Sequence, residues 1–534
     1  MSEELSTNEF AMKKIITTIF LIQIAVSCLA VSAENNTTIP VYHWAYPYFH
    51  QLRLRGYLTG LNVIQQPYTF SQATNALANL RRQIQQGSLQ PTRQDQWMID
   101  LLAKEFQAEA ISDSGAKLTM RTGVWADERI IHENRETRAY TQLRSQIGVS
   151  LGDRFHLYNG ILMDQSLRDD PGYVGERWRG FAGYTEQAYL RYTGEYFDLT
   201  LGRDFMNWGS GKTGKLLFSN SAQPLDRLEI SLKYKGLRFT SFAANLDQWQ
   251  LSDSLARKHQ VGKANRYLSG HRLTLNFRNR FYLGMTEALL YGGPNSTWEL
   301  KYHNPLLYYH GELLNGGGFN GNGFLYLDFD WYPGRNWELY GEILIDDFQV
   351  EKTVPGDLEP DEIGIIFGVQ RTDFFGLPGS LLGLEYVRVA NRTYNSSFEW
   401  EKFVYFNRPL GYYLGNNFDR WNLVATYFPI NKLQVGFGFD YIRQGTGSIL
   451  NPWDTPWESY SVSEGYHEPF PYGQVERSWI ANMNLTFHVR TNAIVESEIR
   501  YQNIVNEFHQ SGSDRHDWSF DFRLHWNIGM NFYD

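Results

Sequence analysis

The sequence predicts an all-β transmembrane barrel of about 18 antiparallel strands, preceded by a small N-terminal α-helical segment. Three observations predict it. Aromatic residues make up 16% of the 534 residues and glycines number 47, a combination typical of strands, tight turns and membrane-interface girdles. From residue 117 onward, apolar and polar residues alternate, and the connections between the alternating segments are alternately short and long.

Composition excludes several other classes of protein. The 49 basic residues stand against 58 acidic ones, which gives a net charge of −9 and no basic surplus to replace the counterions of a nucleic acid. A single cysteine rules out a disulfide scaffold and a thiolate zinc site. The mean hydropathy is −0.44, and no long apolar run follows the N-terminus, so a polytopic helical membrane protein is excluded.

Residues 1–33 have the layout of a secretory signal peptide, with translation starting at Met12. The basic pair Lys13-Lys14 precedes an uncharged stretch that ends in small residues suited to cleavage. A retained membrane anchor and a lipoprotein modified at Cys28 are the alternatives. All three interpretations imply export.

Residues 34–112 predict a helical segment on the periplasmic side. Thr69 and Gln72 can form a capping box at the start of one helix, and Thr92 can cap the next. A shorter helix is expected to begin near Pro47, because proline is tolerated in the first turn. The apolar faces are modest, so the helices should pack on each other and on the end of something larger.

Residues 113–534 predict the outer-membrane barrel with long surface loops. Segment 228–234 alternates between apolar and polar residues without exception. Hydrocarbon offers no hydrogen-bond partner, so each strand must pair with neighbours and the sheet must close. The apolar face then meets lipid and the polar face lines the lumen.

The connections fall into two classes of length, which a propeller or sandwich would not show. We assign the short ones to the periplasm and the long ones to the cell surface, so that both chain termini are periplasmic. The short class comprises residues 152–153, 194–195, 235–236, 279, 333–335, 373–378, 429–431 and 490–491. The long class comprises residues 126–138, 164–181, 204–226, 248–265, 292–322, 348–361, 390–420, 444–474 and 503–515.

Several short motifs occur in order between residues 50 and 350. They are Leu52-Arg53-Leu54-Arg55-Gly56, Leu201-Gly202-Arg203-Asp204 with Trp208-Gly209, Tyr267-Leu268-Ser269-Gly270-His271-Arg272, Glu287 with Tyr302-His303-Asn304-Pro305, and Glu342 with Asp346-Asp347. In this order they resemble the capsule assembly protein Wzi family of outer-membrane proteins. The resemblance implies an 18-stranded barrel with periplasmic helices that holds or organises exported polysaccharide at the cell surface.

Arg203, Asp204 and Trp208 are the first candidate sugar site. An indole ring can stack on the apolar face of a sugar while a neighbouring Arg–Asp pair takes its hydroxyls. The alternative is a structural ion pair inside the lumen. Because the net charge is negative, an acidic polysaccharide would need a local cluster such as Arg177, Arg179 and Arg203.

An aromatic loop is the second candidate glycan-binding site. Trp453, Trp457 and Tyr460 lie in the longest loop rich in proline and aromatic residues. Exposed aromatic side chains are costly unless they pack or bind. The loop therefore folds over the barrel mouth, offers stacking surfaces to a glycan, or does both.

Glu287, His303, Glu342 and Asp347 are a candidate polar cluster of the lumen and its loops. Carboxylate pairs suggest glycoside hydrolysis or a calcium site, and polar packing of inward-folded loops is the alternative. The sequence has no nucleophile elbow, HExxH motif or paired CxxC motif. We therefore expect no enzyme, no cofactor and no metal site.

Two glycine-rich loops have different expected positions. Residues 209–215 resemble a phosphate-binding loop at a glance, but neither reading frame completes the motif, so a flexible surface loop is expected. Residues 316–323 carry few side chains and could reach tightly into the lumen.

Three functions remain as hypotheses. The first is a surface barrel that binds and retains exported polysaccharide, the second a diffusion porin, and the third a barrel-embedded hydrolase. The expected partners are outer-membrane lipids, surface polysaccharide and, as a further candidate, periplasmic export machinery, but not nucleic acid.

Overall fold

The computed structural model describes residues 36–106, 118–178, 180–315 and 318–532. The predicted signal peptide, residues 1–33, and Arg179 lie outside these ranges.

In the described part of the chain, three helices precede the barrel strands: α1 (Ala45–Leu54), α2 (Phe70–Gln85) and α3 (Arg93–Glu105). Thr69 and Gln72 form the predicted capping box of α2, and Thr92 caps α3 together with Asp95. The apolar faces of the three helices share one buried core. None of the helices among the described residues has the length and apolar character needed to cross a bilayer.

The predicted barrel is confirmed, with 18 antiparallel strands that close on themselves where the last strand pairs with the first. The strands are β1 (Leu118–Glu133), β2 (Glu136–Leu151), β3 (Phe155–Asp164), β4 (Ala182–Thr193), β5 (Phe197–Asp204), β6 (Leu225–Tyr234), β7 (Leu237–Asn245), β8 (Lys263–Phe277), β9 (Phe281–Pro294), β10 (Asn322–Gly334), β11 (Trp337–Asp347), β12 (Glu362–Thr372), β13 (Leu381–Val389), β14 (Phe418–Ile430), β15 (Leu433–Gln444), β16 (Glu476–Arg490), β17 (Ala493–Val505) and β18 (Arg515–Phe532).

Alternation within the strands separates two faces of the wall. On β6, Leu228, Ile230 and Leu232 are exposed on the outside, whereas Arg227 and Ser231 are buried on the lumen side. This arrangement suits a wall with lipid outside and polar groups inside.

One predicted long connection is wrong. Residues 126–138 are two paired strand ends joined by a two-residue turn at Asn134 and Arg135, both with positive φ. The many charged residues in this stretch suggested a surface loop. They belong instead to neighbouring strands whose side chains pair with each other, as in the 2.6 Å contact between Arg129 Nη2 of β1 and Asp521 Oδ2 of β18.

The helices lie at the end of the barrel that carries the short turns. Arg53 Nη2 donates to the carbonyl of Asn279, in the turn between β8 and β9, at 2.7 Å. The backbone N–H of Asn336, in the next short turn, donates to the carbonyl of Leu54 at 2.8 Å. The side chain of Phe428, from the end of β14, packs into the helix core.

Two long connections fold into the lumen instead of lying over it. Residues 205–224 bring Trp208, Leu216 and Phe218 into an apolar core that also contains Phe403 and Tyr412 of residues 390–417. The core packs against the lumen side of β7–β13. The expectation of a flexible surface loop at residues 209–215 is therefore wrong, since Ser210 and Leu216 are among the most buried residues of the chain.

Candidate functional site

A site open to solvent is formed by two neighbouring loops at the rim that carries the long connections. We call it the rim cluster. Residues 445–475 supply four rings and two carboxylates, and residues 390–417 supply one guanidinium. The members are Trp453, Asp454, Trp457, Tyr460, Tyr466, Glu468 and Arg392.

The rings of the rim cluster form a continuous series. Trp453 and Trp457 meet edge to face, with ring centroids 6.1 Å apart. Tyr466 lies 6.4 Å from Trp457 and 5.2 Å from Tyr460. Trp457 is buried, Trp453 is half-buried and Tyr460 is 44% exposed, so the buried ring supports the two that face solvent.

Arg392 fixes the two loops to each other. Its guanidinium lies 4.8 Å from the ring centroid of Trp457, within the range of a cation–π contact. Nη2 contacts Asp454 Oδ1 at 2.7 Å, and Nη1 donates to Glu468. Glu468 also accepts from Asn391 Nδ2 at 3.0 Å, so the buried charges of the cluster are paired.

The electrostatics of the cluster are those of a partly desolvated surface site. Burial lowers the pKa of Arg392, but the hydrogen bond and charge of Glu468 outweigh it, so that the net pKa is raised. Burial, followed by the charge of Glu468, raises the pKa of Tyr466 to about 12. In the adjacent loop, burial and the charge of Asp347 raise the pKa of Glu359 to about 7.

The rim cluster has the chemistry that sugar recognition requires. The exposed faces of Trp453 and Tyr460 can stack on the apolar faces of sugar rings. The Asp454 side chain, 63% exposed, keeps acceptor capacity for hydroxyl groups beyond its bond to Arg392. Because the rings are held by packing and by Arg392, they lose little conformational freedom on binding.

The first predicted trio is not one site in the structure. Arg203 lies on the outer face of β5, where it pairs with Asp226. Asp204 faces the lumen and accepts from Gln187 Nε2 at 2.7 Å and from Thr38 Oγ1 at 3.2 Å. Trp208 is buried against other rings. The reason is the strand period of two, which sends adjacent residues to opposite faces.

Arg177 lies on the exposed loop between β3 and β4. Its Nη2 donates to the carbonyl of Asp170 at 3.4 Å. Arg408, from the loop that enters the lumen, pairs with the side chain of the same aspartate. The polar contacts of Arg177 and Arg203 are thus with other groups of the protein. The third member of the predicted arginine cluster, Arg179, lies outside the described residues.

The barrel wall divides the candidate polar cluster of Glu287, His303, Glu342 and Asp347. Glu342 faces the lumen and accepts the backbone N–H groups of Gly211 and Leu216 at 2.6 and 2.8 Å. Glu287 faces outward and accepts the backbone N–H groups of Tyr309 and His310 at 3.0 and 2.8 Å. The two carboxylates therefore cannot act together on one glycosidic bond.

The contacts of His303 and Asp347 are with groups other than Glu287 and Glu342. The ring of His303 contacts Ser269 Oγ at 2.9 Å and the Tyr291 hydroxyl at 3.0 Å, on the outside of the barrel. Asp347 lies at the rim, where the backbone N–H of Phe348 donates to it at 2.8 Å. Among the described residues, no group of three or more His, Cys, Asp or Glu side chains is placed to hold a metal ion.

Comparison with protein families shows to which family the chain belongs. Residues 110–519 match the family model described as capsule assembly protein Wzi, over most of the chain. The chain belongs to the Wzi family. The resemblance found in the motifs is thereby confirmed.

A solved structure supports the fold of this Wzi-family barrel. Wzi of Escherichia coli, an outer membrane protein involved in group 1 capsule assembly and described as a carbohydrate-binding β-barrel, matches with a TM-score of 0.60 and 12% identity, over 94% of this chain and 100% of that one. Pseudomonas aeruginosa OprD matches with a TM-score of 0.44 and 7% identity, over 77% and 95% of the two chains. No curated protein sequence gives a significant match.

Sequence reasoning found the rings of this Wzi-family rim cluster but missed the residue that orders them. Arg392 lies some sixty residues before Trp453, in a loop for which no motif was recognised. Its partner Glu468 is likewise one acidic residue among many. Neither Arg392 nor Glu468 lies in a recognisable sequence motif, because the two residues come from different loops that only the fold brings together.

Proposed function

We propose that this Wzi-family outer-membrane barrel binds exported polysaccharide at the cell surface and retains it there through the rim cluster. The carrying observation is the ring series of Trp453, Trp457, Tyr460 and Tyr466, ordered by a buried Arg392 and open to solvent on one side. The carbohydrate binding described for the E. coli relative supports the same conclusion.

The proposal includes an orientation. The long-loop rim faces the outside of the cell, and the short-turn rim with α1–α3 faces the periplasm together with both termini. Barrels of the outer membrane carry short periplasmic turns and longer extracellular loops, which supports this choice. The helices then offer a surface to periplasmic export machinery, and the outer wall meets outer-membrane lipids.

Partial filling of the lumen supports retention over diffusion. Residues 205–224 and 390–417 occupy the space beside β7–β13, and α1–α3 lie across the short-turn end. A cavity of about 590 Å³ remains between α1, residues 211–215 and the wall of β15–β17. In planar bilayers we expect the protein not to conduct steadily, and a stable open channel would favour the porin hypothesis.

The prediction that the protein is not an enzyme stays part of this proposal. Separation of Glu287 and Glu342 by the barrel wall supports it. The direct check is incubation of surface polysaccharide with the purified barrel, for which we expect no shortening of the polymer.

A double substitution tests the binding site. Trp453→Ala with Tyr460→Ala removes both exposed rings, and each ring contributes about 0.5–1.5 kcal/mol, so affinity for surface polysaccharide should fall roughly 5- to 150-fold. The matched control is Phe508→Ala, which removes an exposed ring from another rim loop, residues 506–514. Binding of purified polysaccharide by the detergent-solubilised protein is the measurement. Equal binding by the double variant and the wild type would contradict the rim cluster as the site.

A further inference from the structure

The connection between β9 and β10, residues 295–321, lies on the outside of the barrel wall in its described parts, residues 295–315 and 318–321. On β9, Ala288 and Leu290 belong to the core inside the lumen, so Glu287, Leu289 and Tyr291 point outward. Leu289 and Tyr291 are nevertheless buried, because Tyr302 and Tyr309 of the connection pack over them. The expectation that the glycine-rich part of this connection enters the lumen is therefore wrong for the described residues 318–321 and 323, since Phe319 also packs on the outer side.

The connection is fastened to the wall by polar contacts. Glu287 accepts two backbone N–H groups of the short helix at residues 309–314, and its carboxylate also contacts the rings of His271 at 3.1 Å and His310 at 2.7 Å. The ring of Tyr302 stacks on Tyr291 at 3.8 Å. Gly323 of β10 provides room, because a Cβ there would lie 3.1 Å from Leu313 Cδ1.

These contacts remove an electrostatic cost. A carboxylate on the lipid-facing side of a barrel is unfavourable near the middle of the bilayer. Glu287 is 4% exposed, and the connection supplies the hydrogen bonds that lipid could not. The polar part of the wall is thus covered by protein.

The surface that the connection turns away from the wall is apolar. Leu306 and Leu314 are 88% and 87% exposed, Leu300 is 73% exposed, and Trp298 and Tyr308 are also largely exposed. Only three of the 27 residues from 295 to 321 carry a formal charge at neutral pH: Glu299, Lys301 and Glu312. Glu299 and Lys301 pair with each other at 2.9 Å.

This apolar surface is continuous with the outer face of the barrel. On the neighbouring strand, Leu325 stands opposite Glu287, and Leu327 and Phe329 follow on the same outward face. Leu327 and, on β11, Ile343 are exposed. An outward apolar band of this kind is the part of a barrel that contacts hydrocarbon.

We propose that residues 295–321 form a lipid-contacting segment, in which the exposed leucines and aromatic rings face the acyl chains of the membrane that surrounds the barrel. The segment covers a polar patch of the wall with an apolar surface and so increases the apolar area that contacts the bilayer. A second copy of the chain is the other occupant that this surface would fit, and the test separates the two. The inference rests on the membrane placement proposed above.

Labelled cysteines test the inference in liposomes. The chain's single cysteine is replaced by Cys28→Ser, and an environment-sensitive fluorophore is attached at Leu306→Cys or Leu314→Cys in separate variants. Quenching is measured with spin-labelled lipids and with aqueous iodide. We expect lipid quenching at both positions to be several-fold stronger than iodide quenching, with a blue-shifted emission.

Two reference positions make the outcome decisive. Ile230→Cys reports the exposed outer face of β6, and Val350→Cys, 77% exposed in residues 348–361, reports a rim loop in water. If Ile230→Cys is not quenched by lipid, the membrane placement itself fails. If it is quenched by lipid while positions 306 and 314 behave like position 350, the lipid-contacting segment is refuted. Protection from both quenchers at positions 306 and 314 means that protein covers the surface, which also refutes it.

Discussion

Two connections leave the same rim of the barrel in opposite directions. Residues 205–224 turn into the lumen, and residues 295–321 turn outward over the wall. In each case a strand carboxylate accepts two backbone N–H groups of the connection: Glu342 holds the inner one and Glu287 the outer one. A barrel can therefore direct its loops to either face with the same local device.

The two connections differ in the charges that accompany the carboxylate. Inside, Lys212 Nζ pairs with Glu338 at 2.8 Å, and a second strand carboxylate, Glu385, accepts the backbone N–H groups of Lys212 and Thr213. Outside, the partners are His271 and His310. The lumen accommodates permanent cations, whereas the side facing lipid uses groups that can be neutral.

Removing the inner carboxylate should have the largest effect. Glu342→Ala leaves two buried N–H groups unpaired and removes a negative charge near the buried Lys215, so the free energy of unfolding should fall by about 3–5 kcal/mol. Release of residues 205–224 should also open the lumen. The measurements are denaturant unfolding from liposomes and planar-bilayer conductance. The isosteric variant Glu342→Gln keeps one of the two acceptor oxygens and should lose less stability than Glu342→Ala. Unchanged stability and conductance would show that this carboxylate does not hold the connection.

Removing the outer carboxylate should have a smaller and different effect. Glu287→Ala loses two backbone hydrogen bonds, but the side chains that contact its carboxylate are the rings of His271 and His310 and not a lysine, so the free energy of unfolding should fall by about 1–3 kcal/mol. Proteolysis within residues 305–315 of the reconstituted protein should become faster, while conductance stays as in the wild type. A conducting Glu287→Ala variant would break the distinction between the two connections.

The smallest expected effect on stability comes from Glu359, in the rim loop of residues 348–361 and outside both connections. The pKa of Glu359 is raised to about 7 by burial and by the charge of Asp347, so its folded state favours the protonated carboxyl. The stabilisation is present below pH 4.5 and is lost as the pH rises through 7. Glu359→Gln should therefore be slightly more stable than the wild type at pH 8. At pH 4 the thermal midpoints of the two proteins should coincide, and a difference there would contradict this account.

The barrel could be predicted from sequence because its physical requirement is repeated in every strand. Alternation along β6 and the two classes of connection length report closure in hydrocarbon directly. The turn at Asn134 and Arg135 escaped prediction because strand ends that project beyond a membrane are as charged as loops.

The direction of the loops could not be predicted in the same way. Residues 209–215 contain two lysines and were expected in water, but four carboxylates on strands β10, β11 and β13 pair with their charges and backbone inside the lumen. Glycine-rich residues near 320 were expected inside, but their neighbours Tyr302 and Tyr309 match apolar residues outside. Loop placement depends on partners from distant strands, and a single sequence does not pair them.

The β1–β2 hairpin has a consequence for the mouth of the barrel. Its strands stay paired up to Glu133 and Glu136, and Arg515 Nη1 of β18 contacts Asn134 at the tip with a distance of 3.4 Å. This edge of the entrance is a stiff ladder, whereas the edge formed by residues 445–475 is made of loop. One side of the entrance is therefore formed by hydrogen-bonded strand ends, and the other by the packed rings of the rim cluster.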